Sequence, residues 1–325
     1  MFSPFIVWYL FLAGVGSGAF LVAVATMVGH RRRSRVHTNV HAHAAASDMP
    51  QGSGIRSRRP RFGLELRQGR YPSASHIRST TALATSALAT VAATLCLLAD
   101  FGDPLVAWRV VLTPLASITS FGAVVVISFT ALAALAALTA LLQFRLPHWL
   151  FATLHVLGAL AALGTMLYAG FLLAAIVSVD LWHTWLVPLL FSVSSLTCGL
   201  AATLFAEALY LGVRTPGFVF RWHTLLALGL IEAAALAALL ADRAAFSPTA
   251  LASVDLLLLG ERSAPFWLGI VSIGLALPVL AHLLFRFLPL EALILVSAVC
   301  VLVGGFYIRH CVVNAGLLTP LFPVT

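Results

Sequence analysis

A carboxylate in the middle of a long apolar run has few ways to exist: it is neutral, it is paired, or it passes a proton. Glu232, in LGLIEAAAL, is such a group. Proton transfer and a hydrogen-bonded strut between helices are both open readings of it. Glu207 stands about one to two turns from the end of its own apolar stretch, where it either snorkels to a local arginine or adds a second station to a proton path. Asp100 and Arg109 flank the connection in LLADFGDPLVAWRVVLTP. In scarce water they form an ion pair or, if the pairing is loose, a tuned proton acceptor. Tyr168 lies roughly 14 Å inside its apolar stretch by helix rise, and a phenol at that depth needs a hydrogen-bond partner, for which Thr165 is the local candidate. Trp8, Tyr9, Trp108, Trp182, His183, Trp185 and Arg309 fall near the same end of their stretches as these polar groups. An aromatic belt accounts for the tryptophans alone.

Other chemistries are less well supported. A b-type haem needs two imidazoles facing each other at one depth; His155, His223 and His282 share a side, but no spacing demands such a pair. His310 stands near the other side. Cys96, Cys198, Cys300 and Cys311 include no C-x-x-C, which excludes an iron–sulfur cluster or structural zinc site of the usual spacing in this chain. His37, His41 and His43 lack a rigid scaffold for a metal, so no metal site is expected. The GVGSG run at 14–18 resembles a phosphate loop only in composition, and inside an apolar stretch its small residues serve close helix packing.

The elements that carry these groups follow from composition. Of 325 residues, 61% are hydrophobic and 9% charged, against about 25% charged in a soluble domain. The mean hydropathy of +1.02 requires many spans, not one anchor. Apolar stretches bounded by charge, Pro or Gly predict eight, at 5–29, 80–99, 117–142, 149–177, 185–212, 222–241, 265–287 and 290–313. The fold class expected is an all-α integral membrane protein of eight transmembrane helices in two four-helix bundles. Residues 103–116 and 244–264 are candidate interfacial helices. The first stretch has basic residues after it and none before it, so it reads as a retained span, not a signal peptide.

All 19 basic residues are arginine, and residues 31–79 hold 11 of them against Asp48 and Glu65. Few large apolar residues interrupt that segment, so it is expected to be a basic, disordered cytoplasmic loop beside anionic lipid, with no role in binding nucleic acid. Fifteen arginines on the odd-numbered connections against four on the other side put the odd loops in the cytoplasm and both termini outside.

Four stretches together resemble the NrfD/polysulfide reductase membrane subunits: WYLFLAGVGSGAF at 8–20, LLADFGDPLVAWRVVLTPLASITSFGA at 97–123, YAGFLLAAIVSVDLWHTWLVPLLF at 168–191 and VLVGGFYIRHCVVNAG at 301–316. Asp100 resembles the family's Asp in its D-L-G-R-P stretch, Tyr168 the tyrosine opening Y-T-G-F, and Arg309 the arginine after the Gly-Gly pair. Asp103 replaces the R-P arginine, and His183 replaces the asparagine of L-W-N-T. The resemblance implies a quinone-binding membrane subunit of an electron-transfer complex, without haem or iron–sulfur cluster of its own. It also implies, on the outer face, a four-cluster ferredoxin-like iron–sulfur partner and a molybdopterin-type catalytic subunit. On that basis Asp100 is the expected proton acceptor, with Trp8, Tyr168, Arg109, Arg309 and His183 around a menaquinone or ubiquinone; Glu232 and Glu207, from their own positions in the apolar stretches, are the expected proton path. The domain reading is residues 1–30 as helix 1, 31–79 as the basic loop, 80–177 as helices 2–4 completing the quinone-binding bundle with helix 1, and 178–325 as helices 5–8 in the cell membrane. The alternatives are a di-histidine haem b cytochrome subunit and a secondary transporter; neither an internal repeat nor broken midplane helices are evident for the latter.

Overall fold

The computed structural model describes residues 4–47, 74–100, 118–144, 146–211, 217–284 and 290–316. Its helices are α1 (Pro4–Ser47), α2 (Ala74–Asp100), α3 (Ile118–Leu141), α4 (His148–Ala174), α5 (Leu186–Leu211), α6 (Phe218–Phe246), the short α7 (Pro248–Leu258), α8 (Pro265–Leu283) and α9 (Leu290–Asn314). Among the described residues no strand occurs, and eight helices are long and apolar enough to cross a membrane. In lipid every backbone N–H must be satisfied within its own segment, and helices do this.

The helix boundaries have local causes. Pro147 precedes α4 in extended backbone. Gly217 adopts φ +83° before α6, a left-handed conformation that glycine takes without steric penalty. Ser247 caps α7, its Oγ accepting the Ala250 N–H at 3.1 Å, with Pro248 at the first turn. The expected cap at 244–264 is thus the end of α6 followed by a separate helix. The segment 103–116 lies outside the described residues. So does 48–73 of the expected basic loop, but its flanks differ from expectation: α1 continues to Ser47 and α2 starts at Ala74. Between Gly29 and Pro50 the sequence has neither Gly nor Pro, so charge alone ends the membrane stretch without ending the helix.

Helices α1 to α4 contact one another in a closed ring, α1 to α2, α2 to α3, α3 to α4 and α4 to α1. Helices α5, α6, α8 and α9 form the second group, and α5 is the hub, packing on α1, α4, α6 and α9. Its span is 67% buried whereas that of α6 is 22% buried, which puts most of α6 on the outside of the helix assembly. The α1–α5 contact is close because Gly18 and Gly199 face each other: a Cβ on either would collide with the opposite backbone.

Helix α8 departs from α geometry. Pro265–Ala276 is π-helical and Leu277–Leu283 is α-helical. The wider i→i+5 register puts residues four and five apart on one side, and the buried residues are Phe266, Gly269, Ile270 and Gly274. Pro278 lacks an N–H to donate to the preceding turn, and the return to α register occurs beside it. Gly274 meets Gly304 of α9 backbone to backbone.

Candidate functional site

Tyr168 is buried on α4, its ring packed against Gly122 of α3, where a Cβ would overlap the phenol. Tyr9 of α1, 4% exposed, is close enough for the two phenols to interact electrostatically. Thr165 is occupied within α4, its hydroxyl donating to the Ala161 carbonyl at 2.9 Å. Asp100 is the last residue of α2 and is half-buried. Two phenols and a carboxyl therefore come from three helices of one ring, with the α3 glycine making room for Tyr168. Arg109 lies outside the described residues.

Trp8 precedes Tyr9 by one residue and so points about 100° away around the helix. It is 47% exposed and leans on Phe306 of α9, with ring centroids 4.6 Å apart. Phe11 meets Phe306 edge-on at 5.6 Å, and His310 stacks on Phe306 at 6.2 Å. Trp8 thus belongs to an aromatic column along the α1–α9 contact, and Tyr9 is the α1 residue beside Tyr168.

Arg309, 1% exposed, is held at the α1–α5–α9 junction. Nη1 donates to Ser194 Oγ at 2.9 Å and to the Gly305 carbonyl at 3.0 Å, and Nη2 donates to Ser195 Oγ at 2.9 Å. The guanidinium also lies over the rings of Phe11 and Phe191, at 5.8 and 5.5 Å. Gly14 makes room for it: a Cβ there would stand 2.5 Å from Nη2 and 2.7 Å from Ser195 Oγ. The GVGSG run serves packing as expected, with this one glycine accommodating a charged side chain. Glu232, 4% exposed, is the acid within electrostatic reach of Arg309, with Ser194 and Thr197 beside its carboxyl.

The remaining candidates have local partners. Glu207 forms a bidentate ion pair with Arg221, both contacts 2.6 Å, with side chains 1% and 12% exposed. His183 is exposed; its ring meets the Ala174 carbonyl at 3.2 Å, and its own carbonyl accepts from Arg243 Nη1 at 3.2 Å. Arg243 also reaches the Asp180 carbonyl at 3.2 Å and pairs with Asp242 at 2.6 Å. The Asp180 carboxylate accepts from Ser247 at 2.6 Å and from Thr249. These hydrogen bonds, Ser247 first, hold the Asp180 carboxyl below the ordinary range against the opposing effect of burial, with help from the charges of Arg243 and His183. Trp182 donates from Nε1 to the Val312 carbonyl at 2.8 Å. The 175–185 connection is thus pinned to α6, α7 and α9.

His223 and His282 are in contact, ring centroids 4.9 Å apart and nearly perpendicular, which leaves no gap for a macrocycle between them. His155 stacks on Phe151 at 4.1 Å and its Nδ1 meets the Phe151 carbonyl at 2.8 Å. The four cysteines are free. Among the described residues no group of three or more His, Cys, Asp or Glu is arranged to hold a metal ion.

Sequence reasoning did not single out Tyr9 apart from its neighbours, nor Ser194, Ser195 and Asp180 as partners. The signals were the hydroxyl-rich SVSSLTC in α5 and the Ser-Pro-Thr start of α7. A family model described as polysulphide reductase, NrfD, matches residues 64–321. The C subunit of polysulfide reductase from Wolinella succinogenes is 32% identical over 171 residues, which are 50% of this protein and 53% of that one. The sequence therefore spans about half the length of the curated relative it matches.

Proposed function

This chain belongs to the NrfD polysulphide reductase family and is a multi-pass membrane protein, and from that membership and its geometry we propose that it is the quinol-binding membrane subunit of an electron-transfer oxidoreductase complex. The observation that carries the reading is the pair of buried phenols, Tyr9 and Tyr168, inside the α1–α4 ring, with Asp100 at the end of α2. An apolar ring bearing two oxygens needs apolar walls, hydrogen-bonding groups at its oxygens and a base for the protons released as electrons leave. Tyr168 serves a ring oxygen. Asp100 accepts the proton, and Arg109, by its place in the sequence, tunes that carboxylate. Trp8 and His310 form the aromatic flank on the α9 side, and Arg309 contributes fixed positive charge at the inner end.

A quinol supplies two electrons and two protons per molecule. No cysteine set in this protein suits a cluster, so the electrons go to an iron–sulfur subunit, and from it to a molybdopterin-type subunit. The surface formed by the pinned 175–185 connection and α7 suits docking of that partner, because Asp180, Arg243 and Trp182 fix its shape. His183 stands exposed on it. The quinone type, menaquinone or ubiquinone, is left open by these groups.

The test is quinol oxidation by the assembled complex. Asp100→Asn is expected to slow turnover by about 10²-fold, the low end of general-base catalysis. Tyr168→Phe is expected to weaken quinol binding by about tenfold, the equivalent of one hydrogen bond. Normal kinetics in both variants would remove this site.

A further inference from the structure

At the end of the bundle opposite the 175–185 connection, charged side chains come together from three helices. Arg78 stands about one turn inside the start of the α2 span, Glu207 about one turn before the end of the α5 span, and Arg221 about one turn inside the start of the α6 span. Packing of α5 on both α2 and α6 makes them neighbours. Arg221 and Glu207 satisfy each other in their bidentate pair. Arg78 is within electrostatic reach of both, so the cluster holds two guanidinium groups and one carboxylate, with one positive charge left over.

Two features favour an anion as the partner of that charge. Arg78 Nε is shielded from solvent and, among the described residues, has no hydrogen-bond partner, and a shielded donor costs free energy until an acceptor meets it. Arg221 gives Glu207 two of its five N–H groups, and its guanidinium rests over the buried Phe218 ring at 5.3 Å, which fixes its plane. The surroundings decide which anion. Leu209, Tyr210 and Phe220, each within three residues of the cluster along the chain, are 63%, 80% and 73% exposed. They lie at the ends of membrane spans, the level at which aromatic rings meet lipid headgroups. A free phosphate ion would meet the arginines and leave this apolar flank bare, whereas a phospholipid covers both. A guanidinium fork also matches two phosphate oxygens at once. The arginine distribution puts this end in the cytoplasm, where the leaflet carries anionic lipid.

We propose that Arg78 and Arg221 form a binding site for the phosphate of an anionic phospholipid at the edge of α2, α5 and α6, with Glu207 holding Arg221 in place and Tyr210 and Phe220 against the glycerol and acyl chains. Helix α2 belongs to the first ring and α5 and α6 to the second group, so a lipid seated there ties the two groups together at the membrane edge. The site stands whether or not the protein oxidises quinol.

Native mass spectrometry of the full-length protein, released from nanodiscs of equimolar phosphatidylglycerol and phosphatidylcholine, tests this. Preferential retention of phosphatidylglycerol is expected. Arg78→Gln is expected to lower the retained ratio of the two lipids about tenfold, the equivalent of one charge-assisted hydrogen bond. Arg262→Gln, which removes an arginine between α7 and α8 at the opposite end, is expected to leave the ratio unchanged. Tyr210→Glu alters an exposed side chain and sets a negative charge about one turn from Glu207, so it is expected to lower the ratio as well, and it decides the question if Arg78→Gln does not fold. Excess inorganic phosphate is expected to leave the lipid in place. Equal retention of the two lipids by the wild type would overturn the site, as would an unchanged ratio in Arg78→Gln or Tyr210→Glu, an equal fall in Arg262→Gln, or displacement of the lipid by inorganic phosphate.

Discussion

Among the described residues, Glu207 and Asp180 are answered in different ways. Glu207 has a full bidentate partner in Arg221, the geometry in which an arginine fork suits a carboxylate best. Removing one member of a buried pair strands the other, so Arg221→Ala is expected to destabilise the protein by about 3 kcal/mol, whereas Arg221→Met with Glu207→Leu should recover most of that loss. Thermal unfolding of the purified protein checks both; equal destabilisation in the single and double variants would mean that the pair does not act as a unit. Asp180 is answered by hydroxyls outside the membrane. Its folded-state value lies below its unfolded one, so its contribution to stability is complete above the ordinary carboxylate range and fades as the pH falls toward the depressed folded value. Asp180→Asn should therefore lower the melting temperature at neutral pH and flatten the acid limb of the profile. An unchanged acid limb would mean that other carboxylates govern it.

At the scale of elements, two helix contacts depend on glycine meeting glycine. Gly18 and Gly199 bring α1 onto α5, and Gly274 and Gly304 bring α8 onto α9. Lipid tails are as apolar as leucine, so such contacts draw on packing instead of water exclusion. Gly304→Val would push α8 away along the stretch where it is π-helical, and a loss of at least about 2 kcal/mol is expected. Thermal unfolding of the purified protein checks this, and an unchanged midpoint would mean that the glycine contact does not set the spacing of α8 and α9.

At the scale of the whole molecule, the two groups of helices share α5 as hub and Arg309 as a charged link, and the orientation in the membrane rests on the arginine distribution. Cys198, Cys300 and Cys311 are buried, so replacing Cys96 alone gives a background for surface labelling. In it, Ser178→Cys, in the pinned connection, is expected to react with an impermeant maleimide from outside intact cells. Phe144→Cys, exposed at the opposite end, is expected to react only after permeabilisation. The reverse pattern would invert the protein and move the proposed docking surface to the cytoplasmic side.

The sequence alone determined the eight spans, because each is a run of apolar residues long enough for a bilayer and bounded by charge, Pro or Gly. It also determined the family, through the motifs at 8–20, 97–123, 168–191 and 301–316, and it named Glu232, Arg309 and Tyr168, since polar groups inside such runs are conspicuous. Only the tertiary structure decided which way each side group faces. A helix that is apolar all round has no periodic stripe to mark its inner side, so nothing in WYLF distinguished Tyr9, turned toward Tyr168, from Trp8, turned toward Phe306. The same limit hid the partnership of Arg309 with Ser194 and Ser195, more than a hundred residues away. The π register of α8 and the continuation of α1 to Ser47 were equally hidden, because backbone register and helix length past the membrane edge depend on packing and on the absence of a breaker, neither of which hydropathy measures.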